Sequence, residues 1–174
     1  MGSNTDHLDQ SYIDVKGRLR WRGNDRLADL LKQLYDFLII GDYEESHATR
    51  YPRLAHAISR HDESLVELKA EGRLEEFPGI GGKITKIVTE LMETGTCSKM
   101  DYGDEFFIPP PRSVLEMTAV PRLGAKTARM LYQDHGIDSL KKLVAAAKSG
   151  SLEKVKGIGA KMIATILQHA ESVR

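Results

Sequence analysis

Cysteine is all but missing from this sequence of 174 residues: Cys97 stands alone, so no internal disulfide framework is available to staple the fold. Aromatic side chains make up only 6% of the chain, which leaves aliphatic residues to build any core. Long apolar runs are also lacking. Stretches such as Phe37 to Ile40 last a few residues, too few to span a bilayer, and the opening MGSNTDHLDQ has no apolar signal-peptide core. The expectation is an intracellular, cytoplasmic protein without membrane contact, nucleoid-associated if its source is bacterial. No charge of one sign prevails either, with 25 basic residues against 25 acidic, so no net field draws the whole molecule to nucleic acid. The six histidines pair with no cysteine at ligand spacing, which argues against zinc.

What is present is local. Up to residue 76 there are 11 Lys and Arg against 15 Asp and Glu, and beyond it 14 against 10, so the basic excess lies with the glycine motifs described below. Residues 1–23 show no helical period, but Lys16, Arg18, Arg20 and Arg22 alternate around Trp21. They read as a basic N-terminal extension, either an arm for phosphates or a terminal segment that is mobile or packed. From Asn24 or Asp25, taken as a cap, Leu27, Leu30, Leu31, Leu34 and Leu38 recur at helical steps until Gly41. Further helices are expected near 51–60, after a capping Asp62, and from Gly82 to Glu93. Residues 101–112, with three consecutive prolines, read as an extended linker, and its acidic cluster Asp101, Asp104 and Glu105 sits too loosely for a metal site. Helices resume near 113–118, 124–134, 139–148 and 160–172. No strand-like alternation of useful length is evident. The expected fold is all-α, with two small helical domains at 24–100 and 113–174.

Three segments share one design: FPGIGGKITKI from Phe77, VPRLGAKTARM from Val120 and VKGIGAKMIAT from Val155. Glycine permits positive φ and a close backbone approach, and the apolar residue between glycines anchors the turn. A helix opens at once, so its unpaired N–H groups and dipole face outward, a site for a phosphate oxygen that reads no base edge. The expected contacts are Gly79, Gly81, Gly82, Lys83 and Lys86 in the first copy. In the second they are Arg122, Gly124, Ala125 and Lys126, and in the third Gly157, Gly159, Ala160 and Lys161. A lysine in a first helical turn opposes the macrodipole, and its recurrence at one offset suits an anion held between the two.

From about Asn24 to Arg174 these motifs, in this order and spacing, resemble the amino-terminal half of family X DNA polymerases, closest to the bacterial kind. FPGIGGKITKIVTELMETG is similar to the hairpin of their lyase-type domain, and the run from Ser113 to the third glycine turn is similar to their fingers-type domain. The resemblance implies DNA repair, with the first domain on the 5′-phosphate side of a gap or nick and the second on the primer duplex. It also implies a monovalent cation, sodium or potassium, on the carbonyls of Glu75, Phe77 and Ile80 and on those of Thr118, Val120 and Leu123. No other cofactor is implied.

Two positions depart from the pattern. The family's Schiff-base lysine falls on Ile87, which has no amine, and Lys86 beside it is turned about 100° away and placed to pair with Glu90. The opposing lysine and tyrosine fall on His47 and Tyr51. Arg122 occupies the second hairpin's first glycine position, where positive φ would strain it or its guanidinium would reach a phosphate. No run up to Arg174 carries the aspartates of a nucleotidyl-transfer site, so a polymerase activity would belong to a separate domain or partner protein. The leading reading is sequence-independent DNA binding at gaps, nicks or ends. Its alternatives are a fragment of such a polymerase with residual 5′-deoxyribose-phosphate lyase activity, through Lys83 or Lys86 beside Tyr51, and a helical protein-interaction scaffold.

Overall fold

A computed structural model describes residues 7–174 and is mostly helical. The opening residues 1–6 of the expected N-terminal extension lie outside the described ones. The extension's remainder corrects the expectation that no strand occurs. β1 (Ser11–Ile13) and β2 (Leu19–Trp21) form an antiparallel pair, with Ser11 opposite Trp21 and Ile13 opposite Leu19. Of the alternating basic residues only Arg20 lies in a strand; Lys16 and Arg18 fall between the two strands and Arg22 opens the first helix. Arg18 is bound to Asp14 at 2.8 Å and Arg20 to Asp25 at 2.7 Å, so these two charges serve the fold instead of an outstretched arm.

Helix α1 (Arg22–Ile40) follows without a break and starts two residues before the expected cap. Asn24 does not cap it. The side chain is fully buried, donates to the Glu63 carbonyl at 2.9 Å and accepts from the Leu65 N–H at 2.8 Å. The cap of the later helix α4 (Leu65–Ala70) is Ser64, whose Oγ accepts from the Glu67 N–H, and not Asp62. Asp62 instead offers its carbonyl to the Trp21 indole at 2.8 Å.

The chain divides into two compact units. The first takes residues up to 35 and 46–103, with α3 (Arg50–Ser59), α4, α5 (Lys83–Thr94) and α6 (Ser98–Tyr102). Its buried side chains include Leu27, Leu31, Leu34, Ile58, Leu65, Val88 and Leu91, each leucine contributing roughly 1.5–3 kcal/mol by burial. The short α2 (Glu45–Ala48) lies at the division.

The second unit takes residues 36–45 and 104–174, with α7 (Leu115–Thr118), α8 (Ala125–His135), α9 (Leu140–Ser149) and α10 (Ala160–Ser172). Of the segment expected as an extended linker, residues 101–103 belong to the first unit, Asp101 and Tyr102 within α6, and residues 104–112 are anchored in the second. Phe107 is buried, edge-on to Phe37 and Tyr43 with ring centroids 6.0 and 5.6 Å away, and Asp104 pairs with Phe107 through the backbone. An aromatic ring in a proline-rich stretch gains more by burial than the extended chain gains by hydration.

Asp36 lies just before the buried run Phe37 to Ile40, and burial pushes its carboxyl up from the ordinary 3.8 to about 6. The folded state thus favours the neutral acid. Its contribution to stability is complete below the ordinary value and is lost as pH rises through about 6. Asp36→Asn should therefore raise the melting temperature at pH 8, by about 1 kcal/mol of stability after solvent screening, and leave it unchanged at pH 4. An equal gain at both pH values would show that the effect is not ionisation.

Candidate nucleic-acid interface

The three glycine motifs fold alike because three buried side chains pin each of them at three-residue intervals. These are Leu74, Phe77 and Ile80 in the first motif, Met117, Val120 and Leu123 in the second, and Leu152, Val155 and Ile158 in the third. The backbone closes two successive tight turns over each set. Phe77 N–H donates to the Leu74 carbonyl at 3.1 Å and Ile80 N–H to that of Phe77 at 3.0 Å. The corresponding pairs are Val120 to Met117 and Leu123 to Val120, both 3.1 Å, and Val155 to Leu152 at 3.0 Å and Ile158 to Val155 at 3.1 Å. With the pins inside, the residues between them are forced out.

Between the second and third pins each turn needs one left-handed residue. Gly79 has φ 95° and Gly157 φ 92°; Arg122 keeps the same handedness at φ 67°. The second turn is therefore not rebuilt, and Arg122 carries the strain of a side chain in the left-handed region, roughly 1–2 kcal/mol. The next residue caps the helix in extended conformation in two copies, Gly124 at φ −84°, ψ 174° and Gly159 at φ −94°, ψ 170°. The first copy differs. Gly82 takes φ 54°, ψ −123°, and α5 begins only at Lys83, whereas Ala125 and Ala160 already belong to their helices. The change from Gly to Ala at that place in the repeat follows this difference.

The turns are open. A Cβ built on Gly81, Gly82, Gly124, Gly157 or Gly159 would meet no atom within 4 Å, and on Gly79 only the Leu54 Cδ1 at 3.5 Å. The N–H groups of Gly81 and Gly82, of Gly124 and Ala125, and of Gly159, Ala160 and Lys161 donate to no acceptor among the described residues. Each set lies at the positive end of a helix of 11–13 residues.

The cations are not equivalent. Lys83 and Lys161 are exposed and make no ion pair among the described residues, and Lys154 and Lys156 add two more free charges at the third turn. Lys126 is held 2.9 Å from Glu45, a carboxylate remote in sequence that local spacing did not reveal. Arg129 similarly stands 3.6 Å from Asp42. Lys86 lies 3.9 Å from Glu90, a loose pair. The hydroxyl and N–H of Ser98 hold that carboxylate at 2.5 and 2.8 Å and keep its pKa below the usual range.

Among the lyase candidates, Tyr51 is buried and Ile87 half-buried, with Lys83 and Lys86 outside on α5. Of the carbonyls expected around a monovalent cation, those of Phe77 and Val120 each already accept one turn hydrogen bond and keep a second lone pair. The Glu75 carboxylate accepts the Thr85 hydroxyl at 2.7 Å. No group of His, Cys, Asp and Glu able to hold a metal occurs among the described residues.

A buried pin, a left-handed turn, an open extended residue and an immediate helix, repeated, define helix-hairpin-helix units. In agreement, residues 114–172 match the family described as a SAM-like helix-hairpin-helix tandem, so the chain carries a helix-hairpin-helix domain there, spanning the second and third turns. Domains of this type generally bind nucleic acid. No curated protein matches the chain. No helix of the described residues is long and apolar enough to cross a membrane.

Proposed function

We propose that the protein binds DNA without regard to sequence, through phosphate contacts at its three glycine turns, and that it acts in DNA repair at gaps, nicks or ends. The observation that carries this reading is the open row of unpaired N–H groups at each turn, on the dipole of a helix whose first turn also holds a lysine. An incoming phosphate oxygen would satisfy the amides and neutralise the lysine together. Contacts made to phosphate by backbone amides would position the strand without specifying its sequence. The resemblance to family X polymerases supplies the repair setting. It also supplies the monovalent cation, sodium or potassium, which the carbonyls of Glu75, Phe77 and Ile80, and of Thr118, Val120 and Leu123, would hold. That ion would add positive charge beside the phosphate. Catalysis would come from a separate domain or partner protein.

A salt-titrated gel shift on gapped, nicked and intact duplexes tests the reading. With four to six phosphates contacted, log K should fall against log salt with a slope of roughly −4 to −5. Negligible binding to all three duplexes at low salt would remove the proposal.

Arg122 offers a sharper check, because its two expected effects have opposite signs. Arg122→Gly removes left-handed strain but adds disorder to the unfolded chain, a net stabilisation of up to about 1 kcal/mol in urea unfolding. The same change deletes a phosphate-directed guanidinium and should lower DNA affinity several-fold. Loss of stability together with unaltered affinity would assign Arg122 a structural role only.

A further inference from the structure

Beside the first glycine turn, within the first unit, lies a cleft of about 270 Å³ that the phosphate contacts leave unused. Leu54, Ala57, Pro78 and Ile84 give it an apolar floor, and Arg50 and Arg53 of α3 stand at its rim. Both arginines are exposed. Arg50 Nε donates to the His47 carbonyl at 3.0 Å, which orients its guanidinium, and Arg53 makes no ion pair among the described residues. No carboxylate lines the space.

A cavity with two arginines, no carboxylate and an apolar floor fits a flat apolar body attached to an anion. Its volume falls just below that of pockets enclosing a whole drug-sized ligand. Gly79, the left-handed residue of the turn, forms part of its wall, so a strand whose phosphate rests on the turn runs past the opening. We propose that this cleft receives one unpaired nucleobase of the DNA strand held at the first turn, with Arg50 and Arg53 on the flanking phosphates. The inference rests on the DNA-binding reading above and adds a preference for DNA that has a base free to leave the stack. Such recognition is tolerant of base identity, because every base offers a face to an apolar surface. A paired base cannot reach the cleft without the cost of unpairing and unstacking.

Affinities for three otherwise identical duplexes test it: one fully paired, one with a single unpaired adenine, and one with an abasic residue at the unpaired position. The duplex with unpaired adenine should bind roughly three- to tenfold more tightly than the other two. The abasic duplex separates base capture from simple flexibility, since it bends as easily but has no base. Ala57→Phe, which fills the cleft from an exposed helical position, should abolish the preference, and Arg53→Ala, a surface change, should reduce it if the first variant does not fold. Lys161→Ala, at a turn of the other unit, should weaken all three duplexes equally. Equal affinity for adenine and abasic duplexes, or a preference that survives Arg53→Ala and Ala57→Phe, overturns the cleft assignment while binding that depends on Lys161 leaves the DNA-binding reading standing. Absence of binding to every duplex overturns both.

Discussion

Replacing Lys83, Lys126 and Lys161 together by alanine should make the salt dependence of DNA binding shallower by about three in log–log slope. Extrapolated from 1 M salt, where counterion release contributes nothing, that is roughly a thousandfold loss of affinity at 0.1 M. The loss should be shared unequally. Glu45 already neutralises Lys126 at 2.9 Å, so Lys126→Ala alone should cost least, and Glu45→Gln should strengthen binding by removing that opposing charge. Stability should move the other way. Each lysine is exposed at the first turn of its helix, where removing a cation from the positive dipole end is neutral or favourable by roughly 0.3–1 kcal/mol. Gel shifts between 50 and 300 mM salt, paired with thermal unfolding, measure both quantities. An unchanged slope would detach the three lysines from phosphate and leave the protein-interaction scaffold as the better reading.

The largest effect on folding is expected at Asn24. Its buried amide satisfies the Glu63 carbonyl and the Leu65 N–H, the two groups that open α4. Asn24→Ala strands a donor and an acceptor in the interior and should cost about 2–4 kcal/mol in urea unfolding. Ser64→Ala next to it removes only a long cap bond of 3.4 Å and should cost about 1 kcal/mol or less. A cost for Asn24→Ala no larger than that for Ser64→Ala would mean that water takes over the amide's two bonds.

These two residues show where reading along the chain succeeds and where it stops. The leucine period of α1 and the lengths of α8, α9 and α10 follow from spacing alone, since a helix buries one face at a period its own geometry sets. Asn24 stands at the expected start of that period and has the composition of a cap, yet its partners are about forty residues away. The same limit applies to the basic alternation before it. Arg18 and Arg20 resemble a free arm until the turn between the strands sets Asp14 beside Arg18 and the start of α1 sets Asp25 beside Arg20.

The repeated glycine motif was visible in the residues themselves: pins three apart, a left-handed position and a helix opening are all local demands, and even Arg122 obeys them. Which lysines remain available was decided only by the tertiary structure, because Glu45 approaches Lys126 through folding and not through spacing. Likewise the cleft of Arg50, Arg53 and Ile84 exists only where α3 packs beside the first turn. The backbone of these turns is dictated by neighbours in the chain, whereas the Lys126 ion pair and the cleft depend on residues that meet solely in space.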